Sequence, residues 1–423
     1  MKRVVITGVG AVTPLGNDAP TTWEGLATGR SGVGELTTFD ATGFPVRIAG
    51  QVKDFRLKDR VPRKVGLRHL SRPGEFGLAA AYEALADAGL EKGSYDGGDV
   101  GVAMGASVGR PDLQWMLDIG ELRRTTGRDD AFIPYAPGDT LAYNQNIPAA
   151  AMARLMDATG PMYGISTACS GSAHAIGEAF RAVQEGDAML MLAGGYDSLT
   201  TWMDVLGFSL LGALTREFND DPQRASRPFD ADRSGFVLGE GAVVFALEEL
   251  EAARERGATI LAEVLGYGST LNAWRVTDSP PDGTGAIQAM EAAISDASIP
   301  PESVDYVVAH GTSTEGNDQS ETVALKKVFG DHAERLMISS PKSMAGHLTS
   351  AGAALSLLAA VGAIRNSLVP PTLNLDTPDR RLGLDYVPNT ARSADVSHAV
   401  INAFAFGGTN VALVVGSYEE QPS

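Results

Sequence analysis

Chemistry in this chain can start from a single sulfur. Cys169 is the only cysteine among 423 residues. It lies in Ser166-Thr167-Ala168-Cys169-Ser170-Gly171-Ser172-Ala173, where the strand-like stretch Met162 to Ile165 gives way to a helix. Small neighbours let a substrate come close to the thiol. A helix N-terminus adds unpaired backbone N–H groups and a positive dipole end, and both lower a thiol pKa from its usual ~8.5. The same N–H groups can hold the oxyanion of a tetrahedral intermediate. Read alone, Cys169 fits a nucleophile and a small buried hydrophobe equally well.

Two histidines bear on that choice. His310 closes an apolar strand and opens His310-Gly311-Thr312-Ser313-Thr314. His347 ends Lys342-Ser343-Met344-Ala345-Gly346-His347, just before an alanine-rich helix. Both stand beside glycine where one element hands over to the next, a usual place for working residues in α/β folds. Each by itself also fits a satisfied structural histidine. Their spacing of 37 residues is no metal pattern, and one cysteine excludes both a disulfide framework and a cysteine-based metal site. His69, His174, His332 and His398 read as surface or packing residues. The run Asn402-Ala403-Phe404-Ala405-Phe406-Gly407-Gly408-Thr409-Asn410 predicts a strand broken by a glycine turn. Phe406 is then either a hinge residue with its N–H free to donate or a buried aromatic before a turn.

The elements that must position these groups alternate between apolar strands and amphipathic or alanine-rich helices. Strands are predicted at 3–7, 100–104, 188–193, 242–247, 305–309 and 399–402, and helices at 76–88, 172–184, 248–256, 285–297 and 351–364. That alternation indicates α/β layers with largely buried sheets. Asp99-Val100-Gly101-Val102-Ala103-Met104-Gly105-Ala106-Ser107 echoes Asp305-Tyr306-Val307-Val308-Ala309-His310-Gly311-Thr312-Ser313 at an offset of 206 residues, about half the chain. An ancestral duplication gives such an offset, as do two ordinary buried strands ending in glycine. Gly8-Val9-Gly10 reads as a turn after the first strand. It is no dinucleotide loop, because Thr13 holds the third glycine position and Pro14 delays any helix.

Composition narrows the partners. Hydrophobic residues make up 44%, enough for a full core. Lys plus Arg is 34 and Asp plus Glu is 52, a balance of −18 that argues against a nucleic-acid or anionic-membrane binder. No apolar stretch reaches the ~18 residues of a membrane span, and Val4-Val5-Ile6 is too short for a signal-peptide core. A cytoplasmic location is expected. Against the overall charge, residues 53–72 hold eight basic groups and two acidic ones, a local +6.

In this order, the pieces resemble the ketoacyl-ACP synthases of the thiolase superfamily over essentially the whole length. The match includes Val4-Val5-Ile6-Thr7-Gly8, Thr167-Ala168-Cys169-Ser170, Arg227-Pro228-Phe229-Asp230, Gly235-Phe236-Val237-Leu238-Gly239-Glu240-Gly241, His310-Gly311-Thr312, Lys342-Ser343-Met344 and Gly407-Gly408-Thr409-Asn410. Within the family, Asn219-Asp220-Asp221-Pro222 and Asn317-Asp318-Gln319-Ser320-Glu321-Thr322 look most like the alpha ketosynthases of type II polyketide synthases. Fatty-acid ketoacyl synthase II is the near neighbour.

The resemblance implies duplicated βαβαβαββ halves in a five-layer αβαβα fold. Residues 1–252 would carry the nucleophile, and 253–423 both histidines and the phenylalanine gate. It implies decarboxylative Claisen condensation, with Cys169 taking the acyl chain and His310 and His347 donating to the malonyl thioester carbonyl. Backbone N–H groups of Cys169 and Phe406 would hold the oxyanion. Lys342 would orient the site, supported by Asp318 and Glu321. Thr277 and Thr312 would bond the phosphopantetheine arm, with Phe404, Phe406 and Gly407 also meeting substrate. No cofactor is bound by this chain in that reading. Its partners are an acyl carrier protein and either a second copy or a chain-length-factor-like subunit. Carrier proteins are acidic, so Arg63, Lys64, Arg68 and Arg72 are expected to line the dock.

Two positions depart from the family pattern: Ser356 stands where a glutamate is usual, and Arg275 where a histidine precedes the pantetheine threonine. Other classes fit less well. A degradative thiolase normally uses a second cysteine, and a non-catalytic chain-length factor lacks the active one. A Cys–His hydrolase needs an acidic or Asn orienter and has no use for Lys342 or the Phe406 loop.

Overall fold

The computed structural model describes residues 1–62, 69–107, 109, 113–130, 139–142 and 144–419. Ten strands form one ladder: β1 Val4–Val12, β2 Val100–Gly105, β3 Met162–Ile165, β4 Leu190–Ser198, β5 Glu240–Glu249, β6 Ala262–Leu271, β7 Tyr306–Val308, β8 Met337–Ser339, β9 His398–Ala405 and β10 Thr409–Gly416. Their order is β8-β7-β9-β10-β6-β1-β5-β4-β2-β3. Read inward from either edge, each group of five follows the order third, second, fourth, fifth, first. The 206-residue echo thus marks equivalent strands, β2 and β7. The groups meet where β1 pairs antiparallel with β6 through Val4–Val264, Val5–Glu263 and Ile6–Ala262.

Helices α1 Arg72–Asp87, α2 Gly171–Glu185, α3 Thr284–Asp296, α4 Glu315–Phe329 and α5 Gly352–Asn366 complete the layers. Outside the sheet, α1 packs on β1, β4 and β5, and α3 on β6, β9 and β10. Between the two groups of strands, α2 and α5 pack on each other and on strands of both. Eleven of the fifteen residues of α5 are buried, as expected of a helix apolar nearly all round. The arrangement is thiolase-like. Among the described residues no helix is long and apolar enough to cross a membrane.

Two expectations need correction. The 8–10 segment is not a turn: β1 runs on to Val12, paired with β5 on both sides of a bulge at Thr7. Its glycines serve close approach, since a Cβ on Gly8 would stand 2.2 Å from the Ala84 carbonyl oxygen and one on Gly10 2.0 Å from that of Ala80. The segment 248–256 is strand as far as Glu249, and its helix covers only Leu250–Glu255. Glu248 reads as helical because it is charged, yet it is buried in the sheet against Arg256 at 2.6 Å and Tyr95 at 2.6 Å.

Candidate active site

Strand β3 ends at Ile165, and the chain makes one tight turn, Ala168–Ser170, before entering α2. Cys169 sits in that turn, two residues ahead of the helix, partly open to a cavity. His174, one turn into α2, holds the approach: its Nδ1 meets Thr167 Oγ1 at 2.8 Å and its Nε2 meets Ser269 Oγ of β6 at 2.9 Å. A residue read as packing therefore ties the cysteine turn to the second half. The expected lowering of the thiol pKa does not occur. Burial pushes Cys169 up to about 11, against the pull of the Lys342 charge and of the backbone N–H groups of Phe406 and Cys169. Desolvation of a sulfur anion outweighs a weak dipole end.

The histidines converge on the same cavity from two handovers of the second half. His310 follows β7, and its backbone N–H donates to Glu321 Oε1 at 2.8 Å while the Gly311 backbone N–H donates to Oε2 at 2.9 Å. Asn402 of β9 holds Oε1 as well, at 3.0 Å. His347 is clamped by its backbone, donating to Val237 O at 2.7 Å and accepting from the Gly239 N–H at 2.9 Å. The two rings stand 5.5 Å apart at 82°, and both residues are buried.

One contact fixes a tautomer: the Thr349 N–H donates to His347 Nδ1 at 3.2 Å. The ring proton therefore rests on Nε2, a buried atom without a hydrogen-bond partner among the described residues. Burial, then the Lys342 charge, hold both imidazoles well below 6.5, so they are neutral N–H donors at pH 7.

Lys342 is buried, and burial pushes it down to about 8 against the pull of Glu321, Cys169 and Asp318. It is cationic at neutral pH. Its carboxylates come from α4, where Asp318 also accepts from the N–H groups of Thr312 at 3.1 Å and Phe229 at 2.9 Å. Burial lifts Asp318 to about 6, and Arg233 at 3.5 Å pulls it back. Ser356 lies inside α5 and bonds its own helix at Gly352 O, 3.2 Å away, so it adds no charge near Lys342.

A cavity of about 220 Å³ brings Cys169, His310 and His347 together with Phe404 and Phe406. Phe236 also lines it and packs edge-on against His347 at 5.4 Å. That residue was not singled out in the sequence, although its motif was. Thr277 lies exposed at the cavity mouth, and Thr312 is buried with its Oγ1 bonded to Thr314 at 2.8 Å. Gly407 has φ +91°, is exposed, and donates to Val276 O at 2.7 Å, closing the turn on the loop that carries Thr277. Arg275 is exposed and pairs with Asp278 at 3.6 Å.

Of the basic patch, Arg63, Lys64 and Arg68 lie outside the described residues. Arg72 is exposed, but its guanidinium grips buried Glu240 at 2.6 and 3.1 Å, bonds Val52 O at 3.1 Å and stacks over Phe76 at 4.8 Å. Its charge is already paired inward. Sequence reasoning also passed over Asp197, at the buried end of β4. The signal was there: a lone carboxylate after an apolar run and Gly194-Gly195, at the C-terminal end of a parallel strand.

Comparison with known proteins places the whole chain in a family. Residues 1–253 match the family model for the beta-ketoacyl synthase N-terminal domain, and residues 261–376 match that for its C-terminal domain. The chain is 41% identical over 418 residues to the 3-oxoacyl-[acyl-carrier-protein] synthase 2 of Synechocystis sp., covering 99% of each. Two solved structures superpose with a TM-score of 0.88 over 99% of this chain and all of theirs. One, 33% identical, is a type II PKS acyl-carrier protein in complex with its ketosynthase bound to the hexaketide. The other, 32% identical, is the ishigamide ketosynthase/chain length factor. The chain belongs to the beta-ketoacyl synthase family. It is thus an acyltransferase of the carbon–carbon bond-forming kind.

Proposed function

We propose that this chain condenses malonyl-ACP with an acyl group carried on Cys169. The observation that carries the proposal is the Nε2–H of His347, without a hydrogen-bond partner among the described residues, on a ring that lines one cavity with His310 and Cys169. Cys169 first attacks the acyl thioester, and its proton leaves with the departing pantetheine thiol. The malonyl thioester then loses CO₂. The electron pair of the broken carbon–carbon bond becomes an enolate, whose oxygen accepts from the His310 and His347 N–H groups. The enolate carbon attacks the acyl-Cys169 carbonyl, the oxyanion rests on the N–H groups of Cys169 and Phe406, and the Cys169 sulfur leaves and is reprotonated. Each such donor is worth about 2.7–4 kcal/mol in a water-poor site. Lys342 holds the charge balance, and Thr277 and Thr312 take the pantetheine arm.

The curated relative of Synechocystis sp., 41% identical, is named a 3-oxoacyl-[acyl-carrier-protein] synthase 2, which favours fatty-acid elongation with a 3-oxoacyl-ACP product. The solved neighbours support a second reading, a polyketide ketosynthase acting with a chain-length factor. Incubation with acyl-ACP and malonyl-ACP tests the reaction: a mass increase at Cys169 followed by CO₂ and 3-oxoacyl-ACP is expected. Immediate hydrolysis of the acyl group would refute it. Turnover of saturated acyl-ACP by the chain expressed alone favours the fatty-acid reading, and a requirement for a second subunit the polyketide one. Docking falls to Arg63, Lys64 and Arg68. Arg68→Glu is expected to slow transfer from acyl-ACP and to spare a pantetheine thioester, and equal loss with both donors would end that assignment.

A further inference from the structure

One buried carboxylate beside the nucleophile has no part in the condensation as written above. Asp197 is the penultimate residue of β4 and is 3% exposed. The strand runs parallel to β2, and its end delivers the side chain to Ser107, just past Gly105. Oδ2 accepts from Ser107 Oγ at 2.7 Å, from the Ser350 N–H at 2.9 Å and, in a short hydrogen bond, from Thr349 Oγ1. Oδ1 accepts from the Ser198 N–H at 3.0 Å.

The two partners from the second half each lead to a working group. Thr349 is the residue whose N–H fixes the His347 tautomer. Ser350 Oγ donates at 2.9 Å to the carbonyl oxygen of Ala168, the residue before Cys169. Both landing points are strained, since Ala168 and Thr349 each have φ +47°. A non-glycine residue, and a β-branched one above all, keeps such a backbone only where its surroundings over-determine it. Here the surroundings are the hydroxyls and N–H groups gathered on one carboxylate.

We propose that Asp197 is a positioning residue: through Ser350 and Thr349 it holds the Cys169 turn and the His347 ring in a common register across the seam between the halves. This role rests on the condensation reading above. A carboxylate suits it because an ionised one only accepts and offers enough lone pairs for four donors. An amide would turn its own N–H₂ toward other donors. The charged groups acting on the Cys169 sulfur are Lys342, which favours the thiolate, and Asp197, which opposes it.

The test uses full-length Asp197→Asn, Ser350→Ala and Thr349→Val, with two readouts. One is the pH profile of Cys169 alkylation by iodoacetamide, and the other is CO₂ release from malonyl-ACP. Ser350→Ala is expected to change the alkylation rate severalfold while leaving decarboxylation near wild type. Thr349→Val is expected to do the reverse. Asp197→Asn is expected to disturb both, to move the alkylation profile to lower pH, and to lower kcat about 10- to 100-fold with KM nearly unchanged. Wild-type alkylation and kcat in Asp197→Asn would overturn the proposal. So would equal effects of Ser350→Ala and Thr349→Val on both readouts, which also decide the matter if Asp197→Asn does not fold. A wild-type enzyme that releases no CO₂ would instead refute the condensation, and alkylation would still judge the hold of Asp197 on Cys169.

Discussion

His347 carries its proton on Nε2 because a single backbone N–H, that of Thr349, occupies Nδ1. Removing either imidazole takes a donor from the developing enolate. His310→Ala and His347→Ala are each expected to slow malonyl-ACP decarboxylation by about 10²–10³, read as CO₂ release. The sign of the pH effect follows from the direction of the shifts. An ordinary histidine becomes half protonated near pH ~6.5. These two are held well below that, so neither loses its N–H donor role as pH falls from about 8 to about 6, and the changes expected in that window are those of Lys342, at about 8, and Asp318, at about 6. A loss of half the rate near pH ~6.5 would mean that an unshifted imidazole is at work. The thiol shows the opposite direction. With Cys169 pushed up to about 11, its alkylation rate should climb through pH ~8.5 without a plateau there.

Elements set these atoms in place through close approach, and here sequence and structure part company instructively. In β1, Gly10 allows α1 to lie against the strand, with 2.0 Å between a hypothetical Cβ and the Ala80 carbonyl oxygen. Gly10→Ala must push a helix backbone away, and a loss of about 1–3 kcal/mol or more is expected in a urea titration. Gly34→Ala, where no atom lies within 4 Å of the added carbon, is the control and should stay within about 0.5 kcal/mol. A glycine pair beside an apolar run reads locally as a turn. Only the packing partner, some seventy residues away, reveals a strand. Helix α4 escaped notice for a related reason: Asn317, Asp318, Ser320 and Glu321 are buried, so its polar face looks inward and the amphipathic signal is inverted. The short strands β2 and β7 were legible because every residue in them is aliphatic, aromatic or glycine, and all are buried. That Cys169, His310 and His347 stand where one element hands over to the next was legible from the small residues beside the first and the glycines beside the other two. Asp197 was not, because its partners Ser107, Thr349 and Ser350 come from remote segments.

At the scale of the molecule, the site exists only where the two halves meet. Cys169 arrives from the first, and His310, His347 and Phe406 arrive from the second. The largest apolar cluster is likewise shared, joining Ile6, Ala173 and Phe180 to Val264, Leu357, Ile401 and Val411. A core divided this way cannot open on one side without exposing the other, so the halves should lose their structure together. The lone thiol is a clean reporter of that event. Unfolding returns Cys169 from about 11 toward the ordinary ~8.5, which raises its thiolate fraction at pH ~7.5 and speeds alkylation. In a urea titration the onset of fast alkylation and the loss of far-UV circular dichroism should therefore share one midpoint. If alkylation accelerates at distinctly lower urea than the loss of dichroism, the seam opens before either half unfolds. The shared core would then not be what holds Cys169 against the histidines.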